Sequence, residues 1–420
     1  KQYNAKNILN IALAGHGGAG KTSIIESMLY LSGASDRLGK IADGNTICDF
    51  DPEEVKRKAS VSTAVAPVEW KNKKLNFIDT PGLFDFEGGL WEGVRAADTV
   101  MIAVSGKNGV SVGTEKAVKA AESRGLSKVF FVNGLCDESA RFYRVFETLK
   151  ASFGPSVCPV VVPFIVDGQA NCYVNLLEYK AYAYSPDGKV SEVPMPDMGD
   201  RLEGLRTAIY EAVAETSDEM FEKYFSGEAF TPEEVIVGVS RGVKSGAISP
   251  VFCGDAINTF GIDQLLNGLV WLAPSAAEKS DEIGLDPDGN MVELSVNEDG
   301  APAAVVFKTI ADPFVGKLSY FKVISGKVSP ETPLVNMRTG NQERISKVMT
   351  VKGKKQEDAA YIGAGDIGAA PKLQNTNTGD TLCSPVRKVT LDGVEYPNPC
   401  LSMAIYPKKK GEEDKVAQGV

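Results

Sequence analysis

Three short clusters have residue types and spacing suited to phosphate chemistry. The run Gly15-His16-Gly17-Gly18-Ala19-Gly20-Lys21-Thr22 fits Gly-x-x-x-x-Gly-Lys-Ser/Thr. Its glycines let backbone N–H groups wrap the α- and β-phosphates of a nucleotide. A lysine at this point reaches the β- and γ-phosphates, and the Thr22 hydroxyl suits Mg2+. The helix expected to start here, with Ser23 in its first turn, adds the positive end of its dipole. The second cluster is Asp79-Thr80-Pro81-Gly82. An Asp at a strand end holds Mg2+ through water, and a following Gly donates its N–H to a γ-phosphate. Taken alone, this tetrapeptide reads equally well as a β-turn. The third is Asn133-Gly134-Leu135-Cys136-Asp137, placed after a strand as a guanine-reading Asn-Lys-x-Asp would be. Here Gly134 replaces the Lys, Cys136 holds the Asp position, and Asp137 comes one residue late. The plain alternative is a strand-to-loop turn.

These clusters need a scaffold that delivers them to one place. Ile8–Ala14 reads as a buried strand, and Ile24, Ile25, Met28 and Leu29 fall at helical spacing up to about Gly33. Thr63–Trp70 alternates, and Leu75–Ile78 answers it across the polar turn Lys71–Lys74, which predicts a hairpin. Thr99–Val104 and Lys128–Val132 are continuous apolar runs, as buried parallel strands are, with helical patterns at about 112–124 and 140–153. Strand–helix alternation predicts a doubly wound α/β sheet. The alternation breaks at about 167–246, where one strand (Tyr182–Tyr184) and two helices (about 201–224 and 232–243) are expected. It resumes with Ser249–Cys253 and Ile262–Leu272, so the interruption reads as an inserted subdomain. Residues 277–300 carry eight acidic residues against one basic residue, Lys279, and read as a linker. Short alternating runs follow at 304–309, 318–324, 333–337, 342–349 and 366–370, the pattern of a β-barrel or sandwich.

Composition removes other classes. At 420 residues, 43% hydrophobic and 24% charged, the chain reads as two or three folded domains. No uncharged run of 18 apolar residues occurs, so no membrane partner is expected, and the first residues lack a secretion-signal pattern. A net charge of −10, from 45 basic and 55 acidic residues, argues against bulk attraction to free DNA. Seven scattered cysteines without a CxxC pair read as reduced thiols of a cytoplasmic protein. With His16 the single histidine, a His-rich metal site or a Ser-His-Asp triad elsewhere is excluded. A monomer is expected. The sequence starts at Lys1 rather than Met and reads as a piece of a longer chain.

Over its whole length the sequence resembles translation elongation factor G. Besides the phosphate loop and Asp79–Gly82, it carries Pro250-Val-Phe-Cys-Gly254 with Ala256, and Gly261-Ile-Asp-Gln-Leu-Leu continuing to Ser275. It also carries the segments Phe307–Gly316, Ala364–Ile367, Thr378–Cys383 and Leu177–Tyr184. The resemblance implies a P-loop GTPase domain over 1–276 with an inserted α+β subdomain at about 167–246 and an acidic linker over 277–300. It further implies an all-β translation-factor-type barrel over 301–396 and the opening strand and helix of a truncated third domain over 397–420. It implies GTP/GDP and Mg2+ as cofactors and the ribosome as partner. Nucleotide contacts would come from Gly15 through Ser23, Asp79, Gly82, Asn133, Asp137, Asp255 and Ala256, and metal contacts from Thr22, Ser60 and Asp79.

Within the family the chain is most similar to the divergent elongation-factor-G-like branch, as Asp49–Ser60 indicates. Standard members carry Arg-Gly-Ile-Thr in the first switch, and its Thr hydroxyl reaches Mg2+. The aligned residues here are Arg57, Lys58, Ala59 and Ser60, so a hydroxyl is kept. Leu83 stands where most members have the His that orients the attacking water. The titratable neighbours are Asp85 and Glu87, while His16 sits where standard members also have His and reads as structural. No catalytic residue is therefore assured, and by analogy with the Ras-type Gln the expected cost in hydrolysis is a few orders of magnitude. Asp255 replaces the usual Ser before Ala256, whose N–H is expected to face the guanine oxygen. The implied function is a ribosome-associated GTPase that couples nucleotide state to domain rearrangement. The alternatives are a switch with little or no hydrolysis and a ribosome-protection-type factor.

Overall fold

The computed structural model describes residues 1–186, 188–279, 281–312 and 315–419. Pro313 and Phe314 of the 307–316 match, Ser280 of the acidic stretch and Val420 of the tail lie outside them.

The first domain is built on a seven-stranded sheet. Its strands are β1 (Ile8–Ala14), β2 (Ala64–Trp70), β3 (Lys73–Asp79), β4 (Thr99–Ser105), β5 (Ser127–Asn133), β6 (Val157–Pro159) and, after the insertion, the strand Ser249–Cys253. The order is β2-β3-β1-β4-β5, then Ser249–Cys253, then β6. All neighbours are parallel except the β2/β3 hairpin. All seven residues of β1 are buried, which is why its sequence, apart from the hydrogen-bonded Asn10, is an apolar run rather than an alternating one. Helices α1 (Lys21–Leu31), α2 (Pro52–Arg57), α3 (Gly88–Ala96), α4 (Val112–Ser123) and α5 (Phe142–Phe153) occupy the connections.

The insertion differs from its expected form. It begins at Val161 rather than near 167 and holds four antiparallel strands instead of one. These are β7 (Val161–Val166), β8 (Gln169–Asn175), β9 (Lys180–Tyr184) and β10 (Val190–Val193). The inner half of β7 is buried in the main core, so it shows no alternation to read. Three helices follow instead of two: α6 (Asp200–Ala214), α7 (Asp218–Phe225) and α8 (Pro232–Ser245). The single expected helix over 201–224 is split because Ser217 turns out of it and accepts from the Met220 N–H as a new N-cap. The chain then returns through β11 (Ser249–Cys253) and α9 (Ile262–Leu272).

The acidic stretch is not a free linker. It forms the hairpin β12 (Glu282–Leu285) and β13 (Met291–Leu294). Its charge is absorbed locally: Glu282 is buried 3.2 Å from Arg95 and 2.8 Å from Lys279. Although burial acts the other way, Arg95 and Lys279 hold its carboxyl well below the usual carboxylate range.

The second domain consists of β14 (Ala303–Asp312), β15 (Gly316–Ser325), β16 (Lys327–Val328), β17 (Pro333–Asn336), β18 (Gln342–Arg344), β19 (Val348–Lys352), β20 (Lys355–Ala359), β21 (Ile362–Gly363), β22 (Ile367–Pro371), β23 (Thr381–Cys383) and β24 (Thr390–Leu391). Eight of them form one antiparallel sheet in the order β18-β17-β23-β14-β15-β22-β19-β20, while β24 joins β12. Leu334 near one end of that order and Val348 near the other share a core with Val306, Phe321 and Val323. The sheet therefore curls around its own apolar face. The expected run 342–349 is two strands, β18 and the start of β19. In the tail, α10 (Glu413–Gly419) forms, but the strand expected after Pro397 does not. Leu401, Met403 and Ile405 alternate as a strand would yet lie exposed, and no strand among the described residues pairs with them.

A buried polar lock joins the two domains. Lys322 on β15 lies 2.5 Å from Asp98, and Lys74 and Asn76 on β3 donate to Asp366 at 2.8 and 2.9 Å. No helix among the described residues is long and apolar enough to cross a membrane.

Candidate functional site

The three clusters meet at the carboxyl ends of the central strands, around a cavity of about 600 Å³. Sheet register sets the phosphate end. Leu13 pairs with Asp79 across β1 and β3, so the glycine loop leaves β1 beside that carboxylate. Gly18 and Gly20 take φ of 82° and 86°, a left-handed backbone that suits glycine, and Gly20 turns the chain into α1. His16, Gly17 and Ala19 complete the loop, with Ser23 in the helix's first turn. The Lys21 ammonium, itself buried, donates to the Gly15 and His16 carbonyls at 3.1 Å each. Burial lowers its pKa. A side chain on Gly82 would run into the backbone nitrogen of Gly17 as well as this ammonium, which favours glycine there.

The hydroxyl and carboxylate groups expected at the metal come together beside it. Thr22 Oγ1 donates to Asp79 Oδ2 at 2.7 Å and lies 3.1 Å from Ser60 Oγ. Asp79 is 1% exposed, and its second oxygen, Oδ1, has no partner among the described residues. Burial, then the nearby charge of Asp49, pushes its pKa up to about 7. Asp49 itself was not foreseen as a site residue. It is 5% exposed, lines the cavity, and its carboxylate faces the Ser60 hydroxyl. Spacing alone cannot separate it from Asp51 two residues on. Asp51 instead caps α2, accepting from the Glu53 N–H at 2.8 Å.

Leu83 lies over the glycine loop, with its Cδ2 3.0 Å from where a Cβ on Gly17 would stand. No described titratable neighbour takes up the role of an imidazole there. Asp85 is exposed, Glu87 pairs with Lys116, and His16 stands edge-on to Phe84 at 5.6 Å.

The base end departs from expectation. Asn133 works as a brace: its amide donates to the Ala19 carbonyl and its oxygen accepts from the Ala256 N–H, both at 3.0 Å. The Ala256 N–H, expected to face a base oxygen, is thus already engaged. Asp137 also lines the cavity, but it is exposed and its carboxylate is engaged by neighbours. It accepts from the Ser139 N–H at 2.8 Å and sits 3.5 Å from Lys107. Asp255 is buried and accepts from the Cys136 N–H at 3.1 Å, while Asn258 donates to its other oxygen. Cys136 faces the cavity with its thiol pushed up to about 11 by burial and by Asp255.

A glycine loop closing on a buried lysine, at the switch point of a doubly wound sheet, defines a P-loop nucleotide-binding domain of the GTPase class. Residues 6–275 match the family described as elongation factor Tu GTP binding domain, and residues 301–385 match elongation factor G domain 2. The chain belongs to the elongation factor G family of translational GTPases. A crystal structure of a protein from Thermus thermophilus is 29% identical, with a TM-score of 0.87 over 98% of this chain and 60% of that one. The chain thus spans about 60% of the length of this relative.

Proposed function

We propose that the protein is a cytoplasmic, monomeric, ribosome-associated GTPase that binds GTP or GDP with Mg2+ and passes the nucleotide state to its β domain. The observation that carries this is the convergence of Ser60 and Asp79 on the Thr22 hydroxyl, each within hydrogen-bond reach of it, beside Lys21. The donor set suits Mg2+, a hard cation that prefers oxygen ligands. Asp79 Oδ1, without a partner among the described residues, is a buried acceptor of the kind a cation would satisfy, and the buried Asp49 carboxylate adds negative charge beside it. Thr22, Ser60 and Asp79 would hold the ion, which would neutralise charge on the phosphates. Lys21 and the loop N–H groups would hold the phosphates themselves.

The path to the β domain starts two residues beyond Ser60. Lys308 on β14 donates to Ser62 Oγ at 2.5 Å and to the Thr63 carbonyl. Gly353, in the β19–β20 turn, donates to the Val65 carbonyl at 2.8 Å. Any shift of Ser60 would thus pull on contacts with the second domain.

The test is ribosome-stimulated GTP hydrolysis by the full-length protein; no stimulation over background sinks the enzymatic reading. Leu83 over Gly17 favours the second reading, a nucleotide switch with little hydrolysis. Leu83→His separates the two: if it leaves hydrolysis at background, the lost imidazole is not what is missing.

A further inference from the structure

The base end of the cavity does present a carboxylate, but from the opposite loop. We propose that Asp255 is the acceptor that reads the purine, and that the site takes 6-oxopurine nucleotides with little dependence on the 2-amino group. This rests on the nucleotide-binding reading above.

Two candidates on the β5 side line the cavity but offer no buried carboxylate. Cys136 occupies the place of the missing acid and has no carboxylate. Asp137 is exposed, with its carboxylate taken up by the Ser139 N–H and Lys107. Asp255 comes from the loop between β11 and α9, is 4% exposed, and lines the same cavity. Its Oδ2 reaches the Cys136 N–H at 3.1 Å, beside the position that the shorter cysteine leaves open. Its backbone is fixed by two hydrogen bonds to Phe260, at 2.9 and 3.0 Å. The neighbouring Ala256 carbonyl accepts from Ser27 on α1. The carboxylate is therefore held rigidly on the cavity wall.

Its hydrogen bonds limit what it reads. Asp255 accepts from the Cys136 N–H and from the Asn258 N–H and side-chain amide, at 3.1, 3.0 and 2.9 Å. A carboxylate has about four acceptor sites, and the fourth faces only the Cys136 thiol, a weak donor that a base N–H displaces. Guanine offers an N1–H and a 2-amino group at this edge, and hypoxanthine offers the N1–H alone. Adenine offers a bare N1 lone pair, which a carboxylate repels. One free site takes the N1–H and leaves the 2-amino group unread.

Calorimetric titration of the full-length protein with GDP, IDP and ADP tests this. The wild type should bind GDP and IDP within about threefold of each other and ADP at least roughly tenfold more weakly, as one hydrogen bond to a charged group implies. Asp255→Ser and the isosteric Asp255→Asn should each bring GDP down to the ADP level. Adding Cys136→Asp to Asp255→Ser should restore GDP and make it about tenfold better than IDP, because two acceptor sites are then free. The inference is overturned if both Asp255 variants keep the wild-type GDP/ADP ratio. It is also overturned if the wild type favours GDP over IDP tenfold, or binds ADP as tightly as GDP. A wild type that binds none of the three overturns the phosphate-loop reading instead, and this inference with it.

Discussion

At the phosphate end of the cavity the working groups are buried, and sheet register places them: Leu13 opposite Asp79, then the loop into α1. At the base end they sit on two loops, with Asp137 exposed after β5 and Asp255 buried after β11. The difference is physical. Phosphate is held mostly by backbone N–H groups and one ammonium, so its site is fixed by chain path and tolerates few side-chain changes. A base is read by side chains, and a carboxylate reaching from either side of a cavity makes the same hydrogen bond. The phosphate motif therefore keeps its spelling, whereas the base motif can be rewritten across two loops.

This contrast can be broken by experiment. Lys21→Ala should weaken GDP, IDP and ADP alike by roughly a hundredfold or more, since it removes charge-assisted contacts common to all three. A loss confined to one base would mean that the two ends are not separable. Leu83→His should raise ribosome-stimulated hydrolysis by about a hundredfold, the lower range for a positioned acid–base group, with GDP affinity unchanged. Changed affinity would place Leu83 in binding rather than turnover. Thr22→Ala should remove most of the Mg2+ dependence of nucleotide affinity, roughly tenfold, seen by titrating with and without chelator. An undiminished Mg2+ effect would shift the metal to other oxygens.

The smallest effect concerns the base end alone. The folded Cys136 thiol, pushed up to about 11, keeps its proton longer than an unfolded one. It therefore costs stability as pH rises above about 9, the unfolded range, and is only about 0.1% thiolate at pH 8. Iodoacetamide labelling of Cys136, followed by mass spectrometry, should rise about tenfold per pH unit up to pH 11 and fall when GDP is bound. Fast labelling at pH 8 would show a different environment for the thiol.

Much of the main sheet was legible because buried strands are continuous apolar runs and their helices have a clear period. Ile8–Ala14 and Thr99–Val104 are such runs. The insertion was read poorly: β7 is buried at one end and exposed at the other, so no simple period marks it. The acidic 277–300 stretch misled because charge suggests solvent, while Arg95, remote in sequence, neutralises Glu282 in the fold. At the site, Lys21, Thr22 and Asp79 were legible from motif spelling, but Asp49 was not. Asp49 and Asp51 look alike in sequence, and only the start of α2 decides which one caps a helix and which one faces the cavity.

The sequence by itself determined the phosphate loop, the alternation that carries it, and the residue types at the base motif, because these depend on local spacing and local conformation. It did not determine which carboxylate is buried on the cavity wall, whether the Ala256 N–H is free, or that Lys308 reaches Ser62 from another domain. Those depend on contacts between residues more than a hundred positions apart. Only the packed chain fixes such distances, because hydrogen bonds and burial are decided by what lies alongside rather than by what comes next.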